Sequence, residues 1–138
     1  MGNAWDKLVR MAAAAIGAVA GALGGWSWLL TVLLACMVCD YLSGMVVAWL
    51  GKSQKSEYGG LSSKVGAAGL VRKGLMLMVV LVAALLDKAL GQSNAMFRDA
   101  VCWFYVANEG ISMMENLSLA GVPFPKKLKE LLGQKAEE

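Results

Sequence analysis

Apolar residues run almost unbroken along this chain, and the few polar ones divide it into long segments. From Met11 to Gly51 a single charge appears, Asp40. A helix of about forty residues would be roughly twice the thickness of a bilayer's hydrocarbon core, so the run must fold back. Gly24-Gly25 is the natural break, because paired glycines permit a tight turn. The pattern predicts an all-α membrane protein with four transmembrane helices, at about 5–23, 26–50, 70–90 and 99–120, within one integral domain, 1–138.

Between the second and third segments, Gly51 to Gly69 forms the long polar connection, with a Gly/Ser-rich middle from Tyr58 to Ser63. It lacks the Gly-x-x-x-x-Gly-Lys-Ser/Thr pattern of a phosphate-cradling loop and reads as solvated or headgroup-bound. Gly91-Gln92-Ser93-Asn94 is a short turn into the fourth segment, which Gly121, Pro123 and Pro125 bring to an end. A short helix at about 125–133 follows, and Leu128, Leu131 and Leu132 give it the spacing of an amphipathic helix on a membrane surface.

The composition agrees with a bilayer setting: 58% hydrophobic and 17% charged, a mean hydropathy of +0.57, net charge +3. Of the thirteen basic residues, all but Lys88 and Arg98 fall on one side of a four-span arrangement. Basic residues collect on the cytoplasmic side, so both termini are expected in the cytoplasm. Lys52, Lys55, Lys64, Arg72, Lys73, Lys126, Lys127 and Lys129 are then candidates for contact with anionic lipid headgroups. Arg72 and Lys73 would snorkel from the start of the third span. Trp26 and Trp28 mark the outer interface, Trp5 and Trp49 the inner one.

Candidate chemistry is concentrated in the fourth span. Wound at about 100° per residue, Asn108, Glu109, Ser112, Glu115 and Asn116 fall within roughly one third of the circumference, and Tyr105 joins them. A carboxylate at the bilayer centre costs about 2.5–3.5 kcal/mol on insertion scales, so this stripe is expected to face protein or water held by protein. It is either a polar helix–helix seam or the lining of a pathway. In the second span Asp40 shares a small, mildly polar face with Ser43 and Gly44. No Lys or Arg is expected at the depth of Asp40, Glu109 and Glu115, so they are expected to be partly neutral or to meet water in a lumen. Gly17-x-x-x-Gly21 in the Ala/Gly-rich first span is a close-packing surface for another membrane helix.

Other classes of function find little footing. The chain has no His, and its three cysteines, Cys36, Cys39 and Cys102, lie in apolar runs as small packing residues, so neither a metal site nor a cofactor is expected. No nucleophile stands beside a base, and no enzyme is expected. The basic residues flank membrane segments, which makes nucleic acid an improbable partner. A cleavable signal peptide is not expected. Asp6 spoils a myristoylation start at Met1-Gly2-Asn3, and Met11 is a candidate internal start. The unpaired intramembrane carboxylates leave a small proton or cation channel, or a transporter subunit, as one reading of the residues, and an assembly scaffold as another.

Several stretches are similar to a known family. Asp40-Tyr41-Leu42-Ser43-Gly44, Leu61-Ser62-Ser63-Lys64 and Gly69-Leu70-Val71-Arg72-Lys73-Gly74 resemble the toxin-secretion and phage-lysis holins of Gram-positive phages and clostridia. So does Asn108-Glu109-Gly110-Ile111-Ser112-Met113-Met114-Glu115-Asn116, closed by Gly121-Val122-Pro123-Phe124-Pro125-Lys126-Lys127-Leu128. Ser43 stands where many members carry Thr, which keeps the hydroxyl. The similarity covers roughly Trp26 to Leu132. It implies a homo-oligomer in the bacterial cytoplasmic membrane that opens lesions through which a cell-wall hydrolase, or a toxin in some relatives, is released. It implies no catalytic residues.

Overall fold

The computed structural model describes residues 2–127 and residue 130, and among these it contains four α-helices and no strand. They are α1 (Gly2–Ala22), α2 (Trp28–Trp49), α3 (Ser63–Ala89) and α4 (Met96–Leu119). Each boundary has a local cause. Helix α1 stops where Gly24 and Gly25 take positive φ, +85° and +91°, a region closed to most side chains. Ser27 then caps α2, its hydroxyl accepting the Leu30 N–H at 3.2 Å. Ser62 does the same for α3 through the Val65 N–H at 3.4 Å. Gly121, at φ +90°, ends α4 ahead of Pro123.

Two boundaries differ from the sequence reading. Helix α3 starts seven residues before the expected Leu70, so the polar connection is shorter and Gly66 and Gly69 are helical. The Ser62 cap supplies an acceptor for the new first turn. The two glycines let Tyr41 of α2 lie against it, since a Cβ on Gly66 would stand 3.2 Å from the Tyr41 hydroxyl oxygen. Helix α4 also begins early, at Met96, for a reason given below. Of the expected amphipathic helix at about 125–133, Lys126 and Lys127 are helical, while Leu128, Lys129, Leu131 and Leu132 lie outside the described residues.

Helix α4 is the centre of the arrangement. It packs along α2 most extensively and along α3 next, whereas α1 meets α3 only slightly. The apolar core joins Leu23, Leu30, Leu33, Met37, Met76, Val80 and Cys102, with Tyr105 and Val106 packed against it. No side chain of α1 is buried. A Cβ at Gly17 or Gly21 would meet nothing within 4 Å, so their close-packing face is unused within the described chain.

The exterior is apolar and several charged groups are buried, unlike a water-soluble protein. Leu42, Met45 and Val46 of α2 and Leu75, Met78, Val79, Val82, Leu85 and Leu86 of α3 are exposed. Asp40, Asp87, Arg98, Glu109 and Asn116 are buried. Charged residues are seldom buried in water-soluble proteins, and contiguous apolar surface of this extent marks a protein or membrane contact. Helices α2 and α3 are long and apolar enough to cross a membrane. This is a membrane protein.

Candidate functional site

The buried polar side chains form two clusters, one deep between three helices and one at the turns that close the bundle. In the first, Lys73 of α3 reaches between Asp40 of α2 and Glu109 of α4. Its ammonium donates to Asp40 Oδ2 at 2.7 Å and to Glu109 Oε2. Asn116, two turns further along α4 from Glu109, donates through Nδ2 to Asp40 Oδ1 at 3.1 Å, to the Asp40 carbonyl at 3.2 Å and to Ser43 Oγ at 3.1 Å. The Ser43 hydroxyl donates to the Asp40 carbonyl at 2.9 Å, a local backbone bond open to a serine within a helix. Gly44 leaves room for Asn116, whose amide nitrogen lies 3.5 Å from where a Cβ would stand.

Two carboxylates and one ammonium leave a formal charge of −1 if all three are ionised. Lys73 is ten residues into α3, about 15 Å from its first residue, and the cluster therefore lies in the half of the bundle that holds the start of α3. Charges in a low-dielectric interior persist only when paired and hydrogen-bonded, and here each carboxylate shares the one ammonium. The arrangement ties three helices together through a single nitrogen.

The second cluster sits at the opposite end. The Arg98 guanidinium donates through Nη1 to the carbonyls of Leu23 at 3.1 Å, Gly24 at 3.2 Å and Gly25 at 3.2 Å. Lys88 donates to the Gly21 carbonyl at 3.1 Å. Both cations stand at the negative dipole end of α1, where they meet carbonyls of its last turn and of the turn that follows. Asp87 of α3 accepts the N–H groups of Phe97 at 2.9 Å and Arg98 at 2.9 Å. It thereby caps α4, whose own preceding residue, Ala95, has a left-handed backbone and no side-chain acceptor. This borrowed cap is why α4 starts at Met96.

The polar stripe of α4 is divided. Glu109 and Asn116 are buried, Tyr105 and Ser112 half-buried, and all four turn towards the bundle, whereas Asn108 and Glu115 remain exposed. Lys52, Lys55, Lys64, Arg72, Lys126 and Lys127 are exposed as well. Among the described residues, no group of three or more His, Cys, Asp or Glu could hold a metal ion.

A model of the bacteriophage holin family matches residues 17–136. The chain belongs to that family. Among its relatives, a probable holin of Bacillus phage phi105 is 34% identical over 103 residues, covering 75% of this chain and 70% of that protein. An uncharacterised 14.9 kDa protein in the nagH 3′ region of Clostridium perfringens is 43% identical over 111 residues, 80% of this chain and 79% of that one. A Listeria innocua protein is 38% identical over 129 residues, 92% of this chain and 86% of its own. No solved structure matches.

For this holin-family chain two sequence expectations need correction. Lys73 does not extend to a headgroup but turns inward, and a basic residue thus does reach the depth of the carboxylates. It can do so because α3 starts at Ser63 rather than Leu70, which moves Lys73 from the mouth of the span to its third turn. The signal available in sequence was the pair Arg72-Lys73: neighbours on a helix point about 100° apart, so both cannot face the same surroundings. Asp87 and Arg98 are the other residues that sequence reasoning missed. The role of Asp87 depends on the end of α3 meeting the start of α4, and that of Arg98 on α4 meeting the turn after α1, which no local pattern encodes.

Proposed function

We propose that this chain is a holin that assembles with further copies of itself in the bacterial cytoplasmic membrane and opens lesions through which a cell-wall hydrolase, or a toxin, leaves the cell. All four helices cross the bilayer in this reading, with both termini cytoplasmic. The excess of basic residues at the inner turns and tail supports that orientation. Residues Lys52, Lys55, Lys64, Arg72, Lys126 and Lys127 lie towards anionic headgroups, and no reaction is catalysed.

The observation that carries the reading is the divided stripe of α4. One half, Glu109 and Asn116, is satisfied within the chain, while Glu115 and Asn108 stay on an otherwise apolar exterior. An exposed carboxylate on a membrane helix is costly against acyl chains. A second copy, or water enclosed by several copies, removes that cost. The open face of Gly17 and Gly21 on α1 offers a further contact of the close-packed kind.

The test is induced expression in a bacterial host carrying a cytoplasmic fluorescent protein. The expected course is normal growth, then abrupt collapse of membrane potential with release of the folded reporter, and a shifted onset in Glu115→Leu. Steady growth with an intact potential, despite good membrane expression, overturns the reading. The net negative Asp40–Lys73–Glu109 cluster favours one alternative, a small proton or cation channel. That alternative expects selective conductance with the reporter retained.

A further inference from the structure

Helix α1 presents a seam that its own bundle does not use. Lys7, Arg10, Ala14, Gly17 and Gly21 follow one another at alternating steps of three and four, which confines them to about 80° of the helix surface. All five are exposed. The bundle meets the opposite face of α1, where Ile16, Val19 and Ala20 line a groove against Leu30, Leu34 and Leu77. Helix α4 carries a second seam of the same spacing, Phe104, Asn108, Ile111 and Glu115, of which Phe104, Asn108 and Glu115 are exposed.

The two seams match in depth. Arg98, in the first turn of α4, donates to the carbonyls that follow α1, so the end of α1 and the start of α4 stand at one level and the helices run antiparallel from it. Measured from that level, Ala14 and Phe104 each lie about 12 Å along their helices, Arg10 and Asn108 about 18 Å, and Glu115 about 28 Å. In a hydrocarbon core of about 30 Å, Arg10 is left about 12 Å from the inner boundary, beyond the snorkelling reach of its own side chain. Among the described residues it makes no ion pair, its helical neighbour Asp6 included. A cation and a carboxylate thus lie exposed at membrane depth on two helices of the chain.

We infer that α1 of one copy docks along α4 of the next, with Phe104 laid on the small residues Ala14 and Gly17 and the Arg10 guanidinium donating to Asn108 and Glu115. Side chains lean towards the N-terminus of their own helix, so in this antiparallel pair Arg10 leans inward and Glu115 outward, and together they close the axial distance between them. Small residues let a bulky partner and a second backbone approach closely. Charge selects this contact over its symmetric rivals. Copies the same way up in one membrane share their levels, so α1 on α1 sets Arg10 against Arg10, and α4 on α4 sets Glu115 against Glu115. The contact is head-to-tail: each copy uses α1 towards one neighbour and α4 towards the other. Such contacts repeat into a ring or an open chain according to the rotation they impose. The inference rests on the self-association proposed above and adds to it the two faces and their polarity.

The test is energy transfer between fluorescently tagged full-length copies in one membrane. Arg10→Glu sets an acid against Glu115, and Glu115→Arg sets a base against Arg10, so each variant alone should self-associate about tenfold more weakly than the wild type. Mixed together they should regain the wild-type level, because the α1 of either then meets a complementary α4 on the other. A second measurement keeps every native charge: in a Cys36→Ala/Cys39→Ala/Cys102→Ala background, Ala14→Cys copies mixed with Ala107→Cys copies should be joined by a membrane-permeable bis-maleimide, and neither should be joined to itself. Full energy transfer in either charge variant alone, no recovery in their mixture, absence of the mixed cross-link, or an equal yield of dimer from one cysteine variant alone overturns the inference and leaves self-association standing. Wild-type copies without energy transfer overturn both.

Discussion

Replacing Lys73 with Met removes the one cation that Asp40 and Glu109 share, while keeping a long apolar stem in its place. Both carboxylate oxygens lie within bonding distance of the same nitrogen, so they are at most about 5–6 Å apart. With the ammonium gone, two ionised carboxylates at that separation repel by about 3 kcal/mol at an effective dielectric constant near 20. Each also loses a charge-assisted hydrogen bond. Breaking a buried pair by deleting one partner costs about 3–5 kcal/mol, and the side chains here are only 5–13% exposed, so little of that is screened. Lys73→Met is therefore expected to destabilise the bundle by about 3–5 kcal/mol. The assay is loss of helicity in detergent micelles titrated with a denaturing surfactant. In the same assay Lys73→Met/Glu109→Gln should recover at least about 2 kcal/mol, because one uncompensated charge is removed and the other keeps Asn116. A Lys73→Met chain within about 1 kcal/mol of wild type, or purely additive effects in the double variant, would refute a buried ionic tie between three helices.

The other end of the bundle makes separate claims. Asp87→Ala strips α4 of both N-terminal acceptors, with no substitute at Ala95, and should cost about 2 kcal/mol in the same unfolding assay. Asp87→Asn should fall between. In Arg98→Lys a single ammonium cannot both reach the three carbonyls that Nη1 meets and engage Asp99 Oδ1 as Nε and Nη2 do. Amide exchange around Leu23 to Gly25 should quicken about tenfold, while the middle of α2 stays protected. Equal exchange at both places would show that Arg98 does not hold α1.

Much of the fold was legible because a bilayer makes simple demands of sequence. Long apolar runs must be helical to satisfy their own backbone, Gly24-Gly25 and Gly121 must interrupt them, and Asn108 to Asn116 on one stripe must find company. Those inferences need only helical periodicity and the cost of charge in hydrocarbon, and they place Glu109, Asn116, Asp40 and Ser43 among the residues that matter. They do not separate Glu109 from Glu115. The two lie on the same third of the helix, and which one meets Lys73 depends on the rotation of α4 against α2 and α3.

The residues alone determined that the chain is built from long apolar helices, where its glycines break them, and that its acids need partners. Only the tertiary structure decided who those partners are. Lys73 lies 33 residues from Asp40 and 36 from Glu109, and Arg98 lies 73 to 75 residues from the carbonyls it caps. Pairings at such separation are set by how helices rotate and slide against one another. That choice is made by the whole core, Leu30, Leu33, Val80 and Cys102 included, since dispersion and close packing accumulate over many weak contacts that no single stretch of sequence contains.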